Sequence, residues 1–407
     1  METKRRVALL MGTSLAYHRE LTQGIAQFNR EHSHWVIRFE GLRMVDPPPK
    51  WLRNWKGDGI LVYVANWRMA KVVGQAGVPA IAFRWAVATP GIPAISTDHY
   101  AVAAMAAEHL RERGFRYFAA CALPRGQHPP LDQRVDAFVA AIQGYGFCCE
   151  VFETEPNRTW EQEQQQIAGW LKSLPKPVGV MGCNDERGVQ LLNACRQAGL
   201  DVPDQVAVLG VGNDDCLCSL AHPPLSSIDL APHRIGYEAA ALLERMMAGE
   251  RVPPEEILIP PRAVVTRLST DVLATDDKVV ARVVAFIRDH ACEGIHLSDV
   301  LANVNMTRWM LEPRVKRVLG RTMYQEIQRV QMEQVKHLLT QTDLPIKQIA
   351  AQTGFHYVPY LTRAFGRIVS QTPAQYRKQL RRQAGPNNNS QVAHNSPTRL
   401  DSIRMQP

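Results

Sequence analysis

The sequence lacks the features that mark membrane-embedded, disulfide-bonded and catalytic proteins. No run among its 407 residues approaches the ~18–20 apolar residues that a membrane-spanning helix needs. The eight cysteines follow no regular framework and show no C-x-x-C spacing, which predicts a reducing cytoplasm. The basic start of the chain has no small-residue cleavage site, so we expect no signal peptide. The H-E-x-x-H, Walker and G-x-S-x-G motifs are missing, which argues against an enzyme and predicts no cofactor or metal.

One short stretch invites a nucleotide-binding interpretation. Gly210-Val211-Gly212 follows an apolar run, as the start of a dinucleotide-binding loop would. The full fingerprint requires a third glycine and an acidic residue about 20 positions further on, and both are missing. An enzyme on an α/β scaffold therefore stays an alternative without a nucleophile, a metal set or a cofactor loop to support it.

The first two thirds of the chain alternate short apolar runs with amphipathic segments. Predicted strands lie at residues 7–11, 59–64, 78–83, 117–122, 178–183 and 206–211, and predicted helices at 21–29, 69–76, 101–113, 133–143 and 186–198. This alternation indicates parallel βαβ units. About 270 residues exceed the usual size of one such domain. We therefore predict an α/β fold with two parallel-sheet lobes and a cleft between them.

Residues 344–377 have the pattern of a helix, a tight turn and a second helix. Ile346, Ile349 and Ala350 share one face of the first helix, and Gly354–Phe355 form the turn. Leu361 and Phe365 give the second helix its apolar stripe. Its opposite face presents Thr362, Arg363 and Arg367 to solvent. A helix held in this way, with a basic face outward, has the geometry that enters a DNA major groove, although an ordinary helical hairpin has the same apolar pattern.

A weaker copy of the pattern lies about fifty residues upstream. Leu297–Leu301 is a short amphipathic helix, Asn305 stands at the turn, and Thr307 can cap the next helix. A long amphipathic helix over residues 323–340 separates the two copies. Two helix-turn-helix units on one linker helix resemble the AraC/XylS family of transcription regulators, over residues 278–382. The resemblance implies an all-α DNA-binding module.

The position of residues within the two units gives the candidate DNA contacts. They are Arg308, Trp309 and Arg314 in the first unit, and Tyr360, Arg363 and Arg367 in the second. Arg363 matches the family's base-contacting arginine. The equivalent place in the first unit is Pro313, and a proline inside a helix removes a hydrogen bond, so we expect that unit to be distorted or to contact mainly the DNA backbone.

Charge is distributed unevenly along the chain. Residues 276–383 hold 17 Lys and Arg against 9 Asp and Glu, which gives this segment the same net charge, +8, as the whole chain. Residues 1–275 are nearly neutral, with 28 against 29. A basic module beside a neutral one is typical of a protein that binds phosphates through one domain.

Three segments of the first 270 residues resemble the sugar-sensing core of LacI-type repressors. They are ISTDHYAVAAMAAEHLRERGFRYFA, VMGCNDERGVQLLNACRQAGLDVPDQVAVLGVGNDD and HPPLSSIDLAPHRIGYEAAALLERMMAG. The resemblance implies the type I periplasmic-binding-protein fold, with a small sugar held between two lobes. Asp98 and Arg134 match family ligand positions, and Asn184-Asp185 lie where a strand gives way to a helix. Asp98 can equally serve as the N-cap of the next helix, and Arg134 can instead form a surface salt bridge. One of Asn184 and Asp185 is expected to cap its helix and the other to reach the sugar.

One departure from the LacI-type pattern concerns the ligand. The family places an aspartate where this chain has Gly212, so Asn213 or Asp214 takes its role or the ligand differs from the usual pentose. Tyr17, Trp67 and Trp85 lie near predicted strand ends, where aromatic rings could stack on a sugar, although core packing is the commoner fate of such rings.

A LacI-like sensor followed by an AraC-like reader is the arrangement of xylose operon regulators, and ILIPPRAVVTRLSTDVLA is also similar to that family. The predicted domains are a sensor at 1–270, a linker at 271–277, a reader at 278–383 and a disordered tail at 384–407. The whole predicts a cytoplasmic regulator that binds operator DNA and a sugar such as D-xylose, as a homodimer through the sensor lobes. A sugar-binding module with no DNA role is the alternative.

Overall fold

Two parallel-strand sheets and a set of helices make up the structure. The computed structural model describes residues 4–43, 46–64, 66–84, 90–154, 158–271, 275, 277–342, 344–355 and 357–384. The strands are β1 (Arg6–Leu10), β2 (Val36–Glu40), β3 (Gly59–Val64), β4 (Ala80–Arg84), β5 (Ala94–Thr97), β6 (Tyr117–Cys121), β7 (Cys149–Phe152), β8 (Val178–Gly182), β9 (Val206–Val211), β10 (Ser226–Asp229), β11 (Glu256–Ile259) and β12 (Ala263–Val265).

The helices fall into a sensor set and a reader set. The sensor helices are α1 (Ala16–Phe28), α2 (Trp67–Gly74), α3 (His99–Glu112), α4 (Pro129–Gly144), α5 (Trp160–Ser173), α6 (Asp185–Ala198), α7 (Asp215–Leu220) and α8 (Pro232–Met247). The reader helices are α9 (Lys278–His290), α10 (Leu297–Val304), α11 (Arg308–Leu319), α12 (Met323–Gln341), α13 (Ile346–Gln352), α14 (Val358–Val369) and α15 (Pro373–Ala384).

The first lobe is an all-parallel sheet with helices on both faces. Its strand order is β11-β5-β4-β3-β1-β2. The run GILVYV of β3 is buried throughout, as expected for a strand covered on both sides. Helices α1 and α8 pack on one face, around Leu21, Ile25 and Leu243, and α2 packs on the other.

The second lobe repeats this architecture. Its strand order is β12-β10-β9-β8-β6-β7, in which β12 alone runs antiparallel to its neighbour. Helices α3 and α4 cover one face around Phe115 and Phe138, and α5, α6 and α7 cover the other. In both lobes the sheets bring the carboxyl ends of several strands to one edge, which is where ligands of open α/β sheets bind.

Three chain segments cross between the lobes, and hydrogen bonds join them. They connect β5 to α3, β10 to α8, and β11 to β12. The Asp98 amide donates to the carbonyl of Ile259 at 2.9 Å, and the Arg262 amide donates to the carbonyl of Asp229 at 2.8 Å. Ala231, with a φ of 55°, donates its amide to the Asp229 carboxylate. The crossings therefore form a connected hinge at the base of the cleft.

The reader is built from two small helical cores. Val283, Ile287, Leu311 and Val315 lie in the first, with α9 to α11 and the start of α12. The second joins the end of α12 to α13 and α14 through Val335, Ile349, Leu361 and Phe365. Helix α12 spans both cores and carries the buried Glu326, which pairs with Arg321 and Arg329 at 2.5 and 2.7 Å. The two units are thus fixed to one rigid element.

The sequence prediction is confirmed for the type of each element it named. The predicted turns are present, with positive φ at Gly354 and Asn305. Some details differ. The side chain of Thr307 makes no capping hydrogen bond, although the residue stands at the N-cap of α11. Helix α11 runs through Pro313 without a break, and contact of this unit mainly with the DNA backbone stays a prediction. Six strands (β2, β5, β7, β10, β11 and β12) and five helices (α5, α7, α8, α9 and α15) were not predicted. Among the strands, β2 and β7 are half-exposed edge strands, and the others are only three or four residues long.

Candidate effector site and DNA-reading surface

The cleft between the lobes collects polar side chains from both. Tyr17 begins α1 of the first lobe and packs against the apolar cores of both lobes. Its hydroxyl lies 3.3 Å from the hydroxyl of Thr97, at the end of β5. Burial raises the pKa of Tyr17 above its usual range, so the group stays a neutral phenol. It can therefore both donate and accept a hydrogen bond at the centre of the cleft.

Arg134 reaches the same region from α4 in the second lobe. The residue is 3 % exposed. Its guanidinium donates to the carbonyl of Cys183, at the end of β8, and lies 3.3 Å from Nδ1 of His99. Its Nε has no hydrogen-bond partner among the described residues, which also place no carboxylate in an ion pair with it. Burial lowers the pKa of Arg134 to about 10, so it remains a cation at neutral pH and has donor capacity to spare.

His99 stands beside Arg134 at the first position of α3. Burial, followed by the positive charge of Arg134, lowers the pKa of His99 to about 3. The imidazole is therefore neutral at physiological pH. Neither His99 nor Thr97 was predicted as a site residue, because their roles depend on how β5 and α4 approach one another.

Three of the predicted ligand residues cap helices. Asp98 accepts the amide of Ala101 at 2.9 Å at the start of α3, and Asn184 accepts the amide of Arg187 at 2.9 Å at the start of α6. Asp214 caps α7 in the same way. The capping alternative that the sequence left open for Asp98 is thus realised, and Asn184 is the capping member of the Asn184-Asp185 pair. Each cap holds its side chain at the cleft edge of a sheet.

Asp185 occupies the space that Gly212 leaves open. It is 4 % exposed, accepts the amide of Asp214 at 2.7 Å and accepts a short hydrogen bond from the Ser227 hydroxyl. A Cβ on Gly212 would lie 2.9 Å from Asp185 Oδ2, and the φ of Gly212 is 136°. Burial raises the pKa of Asp185 to about 6, although the bond from Ser227 opposes the shift. Where the LacI-type pattern has an aspartate, this chain therefore has Gly212, and the carboxylate of Asp185 packs against that glycine.

Asn213 is also part of this arrangement. Its backbone has a φ of 54° and its amide donates to the Ser227 hydroxyl at 2.9 Å. Its side-chain oxygen accepts a bond from Arg267 at 3.0 Å. Asn213 and Asp214 therefore both form hydrogen bonds within the protein, and the role of either side chain as a substitute for the absent aspartate stays a prediction.

A cavity of about 440 Å³ opens at one side of the cleft. Arg19, Glu20 and Gln23 of α1 face residues 214–216, 229 and 262 across it. Burial, and then the negative charge of Asp229, raises the pKa of Glu20 to about 7. Glu20 and Asp229 were not predicted from the sequence, because helical periodicity does not reveal which polar face of α1 meets the other lobe.

The predicted stacking residues are placed differently. Trp67 begins α2 at the end of β3 and is 61 % exposed, so its ring is accessible at the cleft side of the first sheet. Trp85 lies outside the described residues. Another tryptophan of this lobe, Trp35, is buried in the first-lobe core.

The first reading helix, α11, presents an exposed N-terminal turn. Trp309 is 85 % exposed, and the Arg308 side chain is also exposed, 3.3 Å from Glu312. Arg314 was predicted as a DNA contact, but in the structure its side chain is paired within the protein. Its guanidinium binds both oxygens of Asp277, at 2.6 and 2.8 Å, and so ties α11 to the start of α9. Contact with DNA through Arg314 would require this pair to open.

The second reading helix, α14, has the face that the sequence predicts. Leu361 and Phe365 are buried, whereas Tyr360, Arg363 and Arg367 are exposed on the outer side. An unobstructed arginine on such a helix is the residue that most often recognises guanine in the major groove.

Both parts of the chain match known domain models. Residues 107–270 match a periplasmic binding protein-like domain, and residues 300–379 match a helix-turn-helix domain. Helices long and apolar enough to cross a membrane are not found among the described residues.

Full-length relatives and a solved structure agree with this division. The xylose operon regulatory protein of Escherichia coli K12 is 31 % identical over 93 % of this chain and 98 % of its own. That of Haemophilus influenzae is 31 % identical over 91 % of this chain and 98 % of its own. The solved xylose-binding transcription activator xylR, 29 % identical, covers 93 % of this chain and 99 % of its own with a TM-score of 0.60. A sensor of the periplasmic-binding-protein type and a helix-turn-helix reader, joined in this order over nearly the full length, place the chain in the xylose operon regulator family, as a sugar-responsive DNA-binding regulator.

Proposed function

We propose that this chain binds D-xylose or a closely related pentose in its interlobe cleft and thereby controls how its reader binds operator DNA. The carrying observation is that a buried Arg134, whose Nε has no hydrogen-bond partner among the described residues, and a neutral Tyr17 converge between the lobes, in a chain whose α14 exposes Arg363. A buried donor without a partner favours a ligand rich in hydroxyl oxygens, since a new hydrogen bond relieves the unsatisfied group. The protein acts in the cytoplasm as a homodimer.

The proposed sugar contacts divide between the two lobes. Tyr17, Thr97 and Asp98 come from the first lobe and its hinge, and Arg134, His99 and the Asp185 region come from the second. A sugar held by both sets stabilises the closed arrangement, and it shifts the equilibrium only by its differential affinity for the closed and open states. Because Gly212 stands where relatives of the LacI type have an aspartate, selectivity among sugars is expected to differ from theirs.

For the DNA, we propose that Arg363, Arg367 and Tyr360 of α14 and Arg308 and Trp309 of α11 contact one face of the duplex. Two reading helices on one rigid α12 would enter major grooves about 34 Å apart. Arg314 is proposed as a structural residue of the first unit, because Asp277 holds its guanidinium.

The test is the melting temperature of the protein against a panel of pentoses and hexoses. A sugar at ~100 times its Kd raises the free energy of unfolding by about 2.7 kcal/mol. A rise with D-xylose alone supports the xylose assignment, and a rise with another sugar reassigns the effector. If none of these pentoses and hexoses raises the melting temperature, the proposal that this cleft binds such a sugar is wrong. Phosphorylated sugars then become the next class to test.

Two variants locate the site. Arg134→Gln removes the cation and leaves a shorter, neutral donor, and we expect it to abolish the sugar-dependent rise. Asp98→Asn preserves the helix cap, so a loss of binding would report a ligand contact rather than a broken helix. If both variants respond to the sugar as the unmodified protein does, the proposed pocket is incorrect.

A further inference from the structure

The reader contacts the sensor at more than the linker alone. Ser269 and Thr270 are fully buried at the end of the sensor, and Asp271 forms an ion pair at 3.5 Å with Arg288 of α9 in the reader. On the sensor side of this junction, Arg113 is 6 % exposed at the end of α3. Its Nε donates to the carbonyl of Thr270 at 2.7 Å, and His109 lies 2.9 Å from the Thr270 hydroxyl.

Charged groups of the reader act electrostatically on this junction. Burial lowers the pKa of Arg113 to about 9, and the charges of Arg288, Glu333 and Arg329 act on it as well. Glu333 and Arg329 lie on α12, the helix that carries both reading units. The end of α3 is therefore within electrostatic reach of the helix to which both reading units are fixed.

Helix α3 runs directly from the hinge to this junction. It begins after Asp98, whose amide bonds to Ile259 of another crossing segment, and it ends at Glu112 beside Arg113. Fourteen helical residues rise by about 21 Å. Because α3 packs in the core of the second lobe, it moves with that lobe as one rigid body.

A second contact between reader and sensor involves the other lobe. Helix α15 of the reader contacts α8, which belongs to the first-lobe core. Tyr376 of α15 is half-buried, and its environment includes the positive charge of Arg262. Arg262 lies in the hinge, paired with Asp229 at 3.3 Å. The ring of Tyr376 packs on Phe365 of α14, at a centroid distance of 5.4 Å. This path leads from the hinge to the second reading helix.

We propose that the reader is docked at one point on each lobe, through Asp271–Arg288 on the second lobe and through α15 on α8 of the first. Closure of the cleft changes the separation of these two points, and the reader must move or release one of them. This proposal rests on the proposed function for its effector, but the docking itself requires no ligand.

A cleavage experiment tests the docking without any sugar. A protease site inserted between Asp271 and Asp277 allows the linker to be cut in the folded full-length protein, and size-exclusion chromatography then shows whether the two pieces stay together. We expect them to co-elute, and to separate when Asp271→Asn is combined with Tyr376→Ala, which removes the whole ring from α15. Separation of the unmodified pieces immediately after cutting would overturn the proposal, whatever sugar the cleft binds.

A second experiment measures how much sugar binding changes the affinity for operator DNA. It uses the sugar that raises the melting temperature in the panel. Each single variant, Asp271→Asn or Tyr376→Ala, should retain the sugar-dependent rise but reduce the sugar-dependent change in operator affinity at least threefold. Asp201→Asn and Tyr117→Ala, on exposed sensor surface, are the matched controls. If the sugar-dependent change in operator affinity is the same in both docking variants as in the unmodified protein, the two docking contacts do not transmit closure of the cleft to the reader. Loss of the melting response itself would instead indicate damage to the sugar site and would also count against a purely positioning role.

Discussion

The hydroxyl oxygens of Tyr324 and Tyr360 lie 2.8 Å apart, so a hydrogen bond joins the start of α12 to the second reading helix. Gln328 donates to the same Tyr324 hydroxyl at 3.0 Å. The hydrogen bond with Tyr360 is the main cause that raises the pKa of Tyr324. Because α12 also packs in the core of the first unit, this contact links α14 to that unit.

Replacement of Tyr324 by phenylalanine should therefore weaken binding to a complete operator. The ring and its packing remain, and only the exposed hydrogen bond is lost. We expect a loss of affinity of about two- to threefold, at the lower end of the usual value of a hydrogen bond. Fluorescence anisotropy on operator DNA measures it, with Tyr357→Phe as the control because that side chain is 75 % exposed. Equal affinities of the two variants would show that the contact does not position α14.

Arg363 gives the sharpest prediction for base recognition. Arg363→Ala should cost about 1–3 kcal/mol of operator binding and relax the preference at one base pair. The replacement removes an exposed side chain from α14, so the melting temperature should change little. Competition binding against operators with single base changes provides the measurement. Arg196→Ala removes one positive charge from the exposed surface of the sensor, and an identical loss there would indicate only a net-charge effect.

The glycine at 212 is predicted to be required by its surroundings. A side chain there meets Asp185 Oδ2 at 2.9 Å and must adopt a φ of 136°. Gly212→Ala should lower the free energy of unfolding by about 1–3 kcal/mol, because such backbone conformations are strained for other residues. Gly212→Asp should therefore fail to restore the family aspartate as a ligand.

The matched control is Gly169→Ala. Gly169 lies on the exposed side of α5 with open space where an added Cβ would lie, so alanine should stabilise the helix by about 0.5–1 kcal/mol. Chemical denaturation of both variants compares them directly. Equal stability of Gly212→Ala and the unmodified protein would mean that Asp185 and the loop can rearrange at no cost.

The raised pKa of Glu20 predicts that the stability of the folded protein falls as the pH rises. Its pKa rises from 4.5 in the unfolded chain to about 7 in the folded protein, chiefly because of burial. The folded state therefore retains a proton that the unfolded chain has released. This contribution to stability is complete below pH 4.5 and is lost as the pH rises through about 7.

Glu20→Gln removes this contribution. The melting temperature of the unmodified protein relative to the variant should fall as the pH rises from 4.5 to about 7, the window bounded by the two pKa values. Glu108→Gln, on the exposed side of α3, serves as the control. A pH-independent difference between Glu20→Gln and the unmodified protein would show that Glu20 is ionised throughout this range.

Local patterns in the sequence were sufficient for the reader and for most of the sensor. The spacing of Leu361 and Phe365 reveals the buried stripe of α14 and, by elimination, the outward face that carries Arg363. Helical periodicity and turn residues act over a few positions, and a single sequence displays them directly. The strands that escaped prediction are either half-exposed edge strands, such as β2, or strands of three or four residues, such as β5.

The tertiary structure decided which polar groups work together, because those partners are far apart in the chain. Only folding pairs Arg314 with Asp277, places Asp185 against Gly212 and brings Arg134 to His99. The sequence by itself determined the kinds of element, the division into a neutral sensor and a basic reader, and the family. The hinge and the two contacts between α3, α15 and their neighbours arise from long-range packing, which no local period in the sequence encodes.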